Sequence, residues 1–206
     1  MTGRDHTKVH EAHHIHARQA PQHFYNSQPG PAYVHDMETY KKMYKESIEN
    51  PEEFFGKMGR DFLHWDRPFT KVQSGSLENG DVAWFLNGEL NASYNCVDRH
   101  AFANPDKPAL IYEADDEADN KIITFGELLR EVSKVAGVLK SWGVKKGDTV
   151  AVYLPMIPST VIAMLAIARL GAVHSVIFAG FSSGSMKDRI VDAGCKVLIT
   201  CDEGRR

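Results

Sequence analysis

Three short apolar runs close this chain, and their spacing constrains the fold more than any other feature. They read Thr149-Val-Ala-Val-Tyr-Leu154, Ala172-Val-His-Ser-Val-Ile-Phe178 and Lys196-Val-Leu-Ile-Thr-Cys201. Each has strand length, and the segments between them are long enough for a helix to return the chain to the same sheet edge. This order of strand, helix, strand, helix, strand predicts an α/β fold with a right-handed, doubly wound parallel sheet. Such sheets gather ligands beyond the carboxyl ends of their strands. Three loops would then share one rim: Pro155-Met-Ile-Pro158, Phe178 to Ser182, and Asp202 to Arg206.

The helices are read from caps and apolar stripes. Phe125 to Trp142 is the clearest, with a capping box from Thr124 and Glu127. Its stripe is Phe125, Leu128, Leu129, Val132, Val135, Ala136, Leu139 and Trp142, and Gly143 supplies the exit. Ser159 to Leu170 is apolar nearly all round, which predicts cover on both sides. The last helix runs from about Ser183 to Ala193, with Met186, Ile190 and Val191 inward. Upstream, Asn95 to Ala103 reads as a helix capped by Asn95, with Asp98 near its positive end. A strand follows at Pro108 to Tyr112. The acidic run Asp115 to Asn120 reads as a solvated hairpin tip, since it lacks the alternating carboxylates and glycine of a calcium loop.

The front of the chain is of a different character. Residues 1–33 carry His6, His10, His13, His14, His16 and His23 among polar residues, Gly and Pro, and predict a disordered tail. His10, His13 and His14 could share one side of a helix, but no carboxylate or thiolate supports them, so no metal site is assigned. Asp36 to Met58 turns helical, with Met37, Tyr40, Tyr44 and Ile48 in phase until Asn50-Pro51 breaks the run. Pro51 then opens a short helix bearing Phe54, Phe55 and Met58. Trp65, Phe69 and Trp84 follow in an irregular stretch, the pattern of an extended arm anchored by aromatics. The expected divisions are a tail at 1–33, a lead segment at 34–94 and the sheet domain at 95–206.

Composition removes several function classes. A net charge of -3 gives no broad footprint for nucleic acid or an anionic membrane. The longest apolar run, Val161 to Ala168, is far too short to span a bilayer. The N-terminus has no apolar core of a secretory signal. Cys96, Cys195 and Cys201 are few, odd in number and widely spaced, as in a reduced intracellular compartment, and a buried, inert role is expected for each.

The rim carries the chemistry. Gly180 exposes its backbone to a ligand, and the amides around Ser182 and Ser183 begin a helix where partial positive charge collects. Arg205 and Arg206 add guanidinium forks suited to phosphate oxygens. These features point to a phosphorylated small molecule. The alternative stays open that Gly180 merely permits a tight turn while the arginines pair with Asp202 and Glu203. Neither the dinucleotide fingerprint nor the Gly-Lys-Ser/Thr phosphate loop occurs. Asp98, Arg99 and His100 are consecutive on a helix and cannot converge on one substrate atom, so capping and ion pairing are expected of them. His174 reads as a hydrogen-bonded core histidine. These are binding features without a catalytic set.

Longer segments carry a resemblance. Trp84-Phe-Leu-Asn-Gly-Glu-Leu-Asn-Ala-Ser-Tyr-Asn-Cys-Val-Asp-Arg-His100 resembles the opening of the AMP-forming acetyl-CoA synthetases. So do Pro155 to Pro158, Gly171 to Ser183, and Ile199-Thr-Cys-Asp-Glu-Gly-Arg-Arg206, and the resemblance runs from about Tyr33 to Arg206. The style of Lys41 to Tyr44 and of the His-rich start is similar to the fungal members.

The resemblance implies an adenylate-forming enzyme: an extended helical lead segment, then an incomplete doubly wound parallel sheet with flanking helices. It implies a ligase for which acetate plus ATP gives acetyl-adenylate and pyrophosphate, after which the thiol of coenzyme A displaces AMP. Phe178, Ala179 and Gly180 would lie beside coenzyme A, and Arg206 would contact its adenine and 3′-phosphate. The phosphate loop, the adenine and acetate pockets, the Mg²⁺ ligand and the catalytic lysine of the family would all lie beyond Arg206. The chain is therefore expected to be an inactive N-terminal fragment, with no catalytic residue of its own and no cofactor held tightly. ATP, coenzyme A and Mg²⁺ would belong to the full-length enzyme. Its partners would be small-molecule substrates rather than nucleic acid or membrane, a homo-oligomer of the full enzyme being compatible with this. The expected compartment is the cytoplasm, with the nucleus as a second. Two other readings stand beside it: a non-catalytic coenzyme A or nucleotide binding module, and an arm from Asp36 to Trp84 serving oligomer contacts.

Overall fold

The computed structural model describes Val34 and residues 36–203, so the His-rich tail lies outside the described residues. The described residues divide into two units, with the boundary between Pro51 and Glu52. In the first, helix α1 (Met37–Glu49) begins at Asp36, whose carboxylate accepts the Thr39 amide at 2.6 Å. Its stripe of Met37, Tyr40, Tyr44 and Ile48 is exposed, with Tyr40 stacked on Tyr44 at 6.2 Å.

Helix α2 (Pro51–Phe62), which starts at a proline as expected, leads into the second unit. The stretch read as irregular contains an antiparallel ribbon, β1 (Lys71–Ser74) against β2 (Ala83–Leu86). Four-residue strands are too short to establish an alternation, which is why the pattern did not reveal them. Trp65, Phe69 and Phe85 form a mutual ring cluster with centroids 4.9–5.4 Å apart. The Trp65 indole donates to the Gly59 carbonyl at 2.7 Å, and the Val72 amide donates to Glu52 at 2.9 Å, so helix and ribbon are stitched together.

Residues 92–103 are helical, as a π-helical segment Tyr94–Asp98 followed by α3 (Arg99–Ala103). The expected cap at Asn95 is overturned. Asn91 caps this stretch, its side-chain oxygen accepting the Tyr94 amide at 3.1 Å. Asn95 lies inside the helix, where its amide group accepts from the His64 N–H at 2.8 Å and donates to the His64 carbonyl at 2.9 Å. The Asn91 amide also donates to the carbonyls of Ala168 and Arg169 at 3.3 and 3.1 Å. One asparagine thus closes the start of one helix and the end of another.

Strands β3 (Pro108–Tyr112) and β4 (Lys121–Thr124) form an antiparallel hairpin with the acidic run at its tip. Helix α4 (Phe125–Ser141) has its capping box in both directions: Glu127 N–H to Thr124 at 3.3 Å, and Thr124 N–H to Glu127 at 2.9 Å. Leu128, Val132, Ala136 and Leu139 of its stripe are buried, whereas Trp142 lies past the last turn and is 65% exposed.

Strands β5 (Thr149–Tyr153), β6 (Val173–Val176) and β7 (Val197–Thr200) form a parallel sheet in the order β6-β5-β7. Val152 stands beside Val176 on one side and Ile199 on the other. Central β5 is fully buried at Val150, Ala151 and Val152, as a strand covered on both faces should be. Helices α5 (Pro158–Arg169) and α6 (Ser183–Asp192) link the strands. Because the chain steps from β5 one way and then returns past it, right-handed crossovers assign the two helices to opposite faces. Val150 and Val152 pack with α4, Ala163, Ala166 and Ile167 in one core, where a fully buried Val, Leu or Ile contributes about 1.5–3 kcal/mol.

Two expectations fail on these helices. Val161 of α5 stays 36% exposed among the described residues, so cover on both sides is incomplete. No residue of α6 is fully buried, and Val191, expected inward, is 69% exposed. Both readings assumed that every apolar residue faces a layer within the segment read.

Candidate functional site

Parallel strands point their carboxyl ends one way, so the loops after β5, β6 and β7 lie along a single edge of the sheet. With β5 between them, the turn after β6 and the segment after β7 stand about 10 Å apart at the sheet, two strand spacings. The loop after β5 is braced by Thr160, whose hydroxyl donates to the Pro155 carbonyl at 2.6 Å, while Met156 is 88% exposed.

The turn after β6 is the most tightly specified part of the rim. The Phe181 amide donates to the Phe178 carbonyl at 3.0 Å, closing a β-turn across Ala179 and Gly180. Tyr153, at the end of β5, reaches under it. Its hydroxyl lies 2.7 Å from the Ala179 carbonyl and 3.0 Å from that of Phe181, so a single O–H is shared between two acceptors. The Phe178 and Phe181 rings meet edge to face at 5.7 Å. The Arg189 guanidinium lies over the Phe181 ring at 4.5 Å and donates to the Ser185 hydroxyl at 2.7 Å. A side chain at Gly180 would place its Cβ 2.5 Å from the Phe178 ring. Any larger residue at this position would therefore displace the Phe178 ring.

Helix α6 begins directly after this turn. Ser182 caps it, accepting the Ser185 amide at 3.3 Å. The amides of Ala179 and Gly180 make no hydrogen bond among the described residues, and those of Ser183 and Gly184 are first-turn donors without a partner inside the helix. Amide donors thus outnumber free carbonyls along this stretch, the arrangement that suits an anionic or carbonyl-bearing ligand. On β7's side, Asp202 accepts the Glu203 amide at 3.0 Å. Gly204, Arg205 and Arg206 lie outside the described residues.

The structure brings Phe178, Ala179 and Gly180 together with Tyr153 and Arg189, two residues the sequence reading did not single out. Tyr153 looks like the last member of an apolar strand; its one available signal is a phenol hydroxyl that must find a partner when half-buried. Asp98, Arg99 and His100 diverge. Asp98 pairs with Arg169, Arg99 donates to the Phe62 carbonyl at 2.7 Å, and His100 lies against Phe125 at 5.1 Å. His174 is half-buried on edge strand β6 and its imidazole has no hydrogen bond among the described residues, so the expected core histidine is overturned. Burial raises the Cys195 thiol above its ordinary pKa, while Cys96 is exposed, against the expectation of burial. Among the described residues no three His, Cys, Asp or Glu side chains cluster as metal ligands, and no helix is long and apolar enough to cross a membrane.

Residues 97–206 match the family described as AMP-binding enzyme, more than half of the chain. The chain belongs to that family. Residues 40–96 match the acetyl-coenzyme A synthetase N-terminus. The chain is 76% identical over 206 residues to acetyl-coenzyme A synthetase 2 of Saccharomyces cerevisiae, covering all of this chain and 30% of that protein. It is 77% identical over 201 residues to the protein of the same name from Kluyveromyces lactis, covering 98% and 29%. To the acetyl-coenzyme A synthetase of Penicillium chrysogenum it is 57% identical over 198 residues, covering 96% and 30%. The chain thus spans about a third of the length of the curated relatives it matches.

Proposed function

We propose that this chain supplies the lead segment and the coenzyme A-facing rim of an AMP-forming acetate–CoA ligase. The complete reaction joins acetate to the α-phosphate of ATP with loss of pyrophosphate, and the coenzyme A thiol then takes the acetyl group and releases AMP. The observation that carries the reading is the turn at Phe178 to Phe181, rich in amide donors and set on the same edge as the segment leading to Arg206. Phe178, Ala179 and Gly180 line the path of coenzyme A, and Arg206 meets its 3′-phosphate with a guanidinium fork. The identity to proteins named acetyl-coenzyme A synthetase supports the acetate substrate.

Adenylation requires the carboxylate, the α-phosphate and neutralising charge to be held together. No residue described here is assigned to ATP phosphates, acetate or Mg²⁺, so the chain by itself is inactive in this reading. The proposed compartment is the cytoplasm, with the nucleus as a second.

The test uses a chimera in which this chain replaces the matched 206 residues of the Saccharomyces relative. Arg206→Ala should raise KM for coenzyme A about tenfold or more, as loss of a charged hydrogen bond does, and leave KM for ATP nearly unchanged. Equal rises in both would contradict the assigned role. Acetate-dependent pyrophosphate release by the 206-residue chain alone would overturn the statement that it is inactive. Saturable calorimetric binding of coenzyme A by that chain, without turnover, would favour a binding module in its own right.

A further inference from the structure

We infer that Tyr153 is a positioning residue that sets the polarity of the Phe178–Phe181 turn, holding the Ala179 and Phe181 carbonyls inward and leaving the Ala179 and Gly180 amides as donors for coenzyme A. The inference rests on the assignment of this turn to coenzyme A and deepens it.

A four-residue turn offers carbonyl and amide groups in nearly equal number, so a bare turn has no preference between donor and acceptor ligands. Here three of the carbonyls are engaged from within. Phe178 accepts the Phe181 amide, and Ala179 and Phe181 share the Tyr153 hydroxyl at 2.7 and 3.0 Å. The amides of Ala179 and Gly180 find no acceptor among the described residues. Coenzyme A is acceptor-rich along its length, in phosphate oxygens and in the two amide carbonyls of its pantetheine arm. A donor-presenting turn matches that chemistry, and an acceptor-presenting one would leave unpaired carbonyls against phosphate.

Placement explains why a tyrosine serves. Tyr153 is the last residue of central strand β5, paired with Thr200 of β7, and the turn follows neighbouring β6. A phenol reaches sideways from one strand end to the next loop, and its rigid ring loses little entropy on being fixed. The other side of the turn is held by ring contacts, Phe178 on Phe181 and Arg189 over Phe181. Those contacts fix the rings, while the Tyr153 hydroxyl holds the Ala179 and Phe181 carbonyls.

Tyr153→Phe removes one oxygen and keeps the ring. In the chimera it should raise KM for coenzyme A about tenfold, the worth of one well-placed hydrogen bond, with acetate-dependent ATP–pyrophosphate exchange within about twofold of the parent. Exchange proceeds without coenzyme A, so an equal loss in both assays would mean a general structural role and overturn the inference. Gly180→Val, which drives a side chain into the Phe178 ring, is the companion variant. If it raises KM for coenzyme A and Tyr153→Phe does not, the inference fails while the assignment of the turn stands. If neither does, the assignment itself fails. Hydrogen exchange on the 206-residue chain decides the local claim without activity. In Tyr153→Phe the Phe181 amide should exchange about tenfold faster while Val150 and Val152 keep their rates. Unchanged exchange at Phe181 would overturn it.

Discussion

Arg169 grips Asp98 with both prongs of its guanidinium, Nη1 to Oδ2 at 2.7 Å and Nη2 to Oδ1 at 2.9 Å. The carboxylate is 6% exposed, and the arginine sits in the last turn of α5, next to the carbonyls that Asn91 caps. Helix 92–103 and the α/β layer are therefore joined by charge as well as by packing.

A buried ion pair costs desolvation to assemble, so removing one member hurts more than removing both. Arg169→Met strands the Asp98 carboxylate and should cost about 3–5 kcal/mol in urea unfolding. The double variant Asp98→Leu with Arg169→Met should recover most of that loss. A double variant as unstable as the single would show that the pair contributes geometry no apolar contact can replace.

The capping box of α4 gives a smaller, cleaner effect. Thr124→Ala removes the oxygen that accepts the Glu127 amide and leaves the return bond, from the backbone N–H of residue 124 to the Glu127 carboxylate, in place. Stability should fall by about 1 kcal/mol, and Thr124→Ser should hold most of it. Equal losses in the two variants would assign the effect to the threonine methyl.

Helix α4 and the three parallel strands were legible because each is specified locally, by a cap, a stripe or a bounded apolar run. The start of helix 92–103 was not. Asn91 and Asn95 are both good caps by residue type, and the choice between them is made by His64, thirty-one residues away, which claims both sides of the Asn95 amide. Ribbon β1–β2 is held by rings from α2 and the following loop rather than by its own alternation. At the rim, glycine after a strand announced a turn, and the ligand proposed for it comes from the family resemblance rather than from any spacing. Which groups of the turn face outward is set by Tyr153 from another strand, and no spacing rule within the turn encodes that. Long-range polar contacts are what a periodicity cannot carry.

Ser93 offers a test in the opposite direction. It is fully buried, and its hydroxyl has no hydrogen-bond partner among the described residues. An unpaired buried hydroxyl costs free energy that a methyl does not. Ser93→Ala should therefore be neutral or raise stability by about 1 kcal/mol, seen as a higher urea midpoint with unchanged slope. A loss of that size would mean that the hydroxyl is satisfied after all.

Asp148 contributes to the acid limb of the stability curve. Its carboxylate accepts Lys196 Nζ at 2.7 Å and the Lys145 amide at 2.9 Å, and these bonds, Lys196 foremost, hold it below the ordinary carboxylate range. The folded pKa is thus below the unfolded value of about 3.9. The stabilisation is present above the unfolded value and is lost as pH falls through the folded one. In urea unfolding, the gap between the parent and Asp148→Asn should be constant at neutral pH and narrow below about pH 4. Lys196→Met removes the leading cause of the shift and should show the same narrowing, with the residual set by the Lys145 amide. A gap that stays as wide at the acid end as at pH 7 would mean that the carboxylate's charge contributes nothing and that only its shape is used.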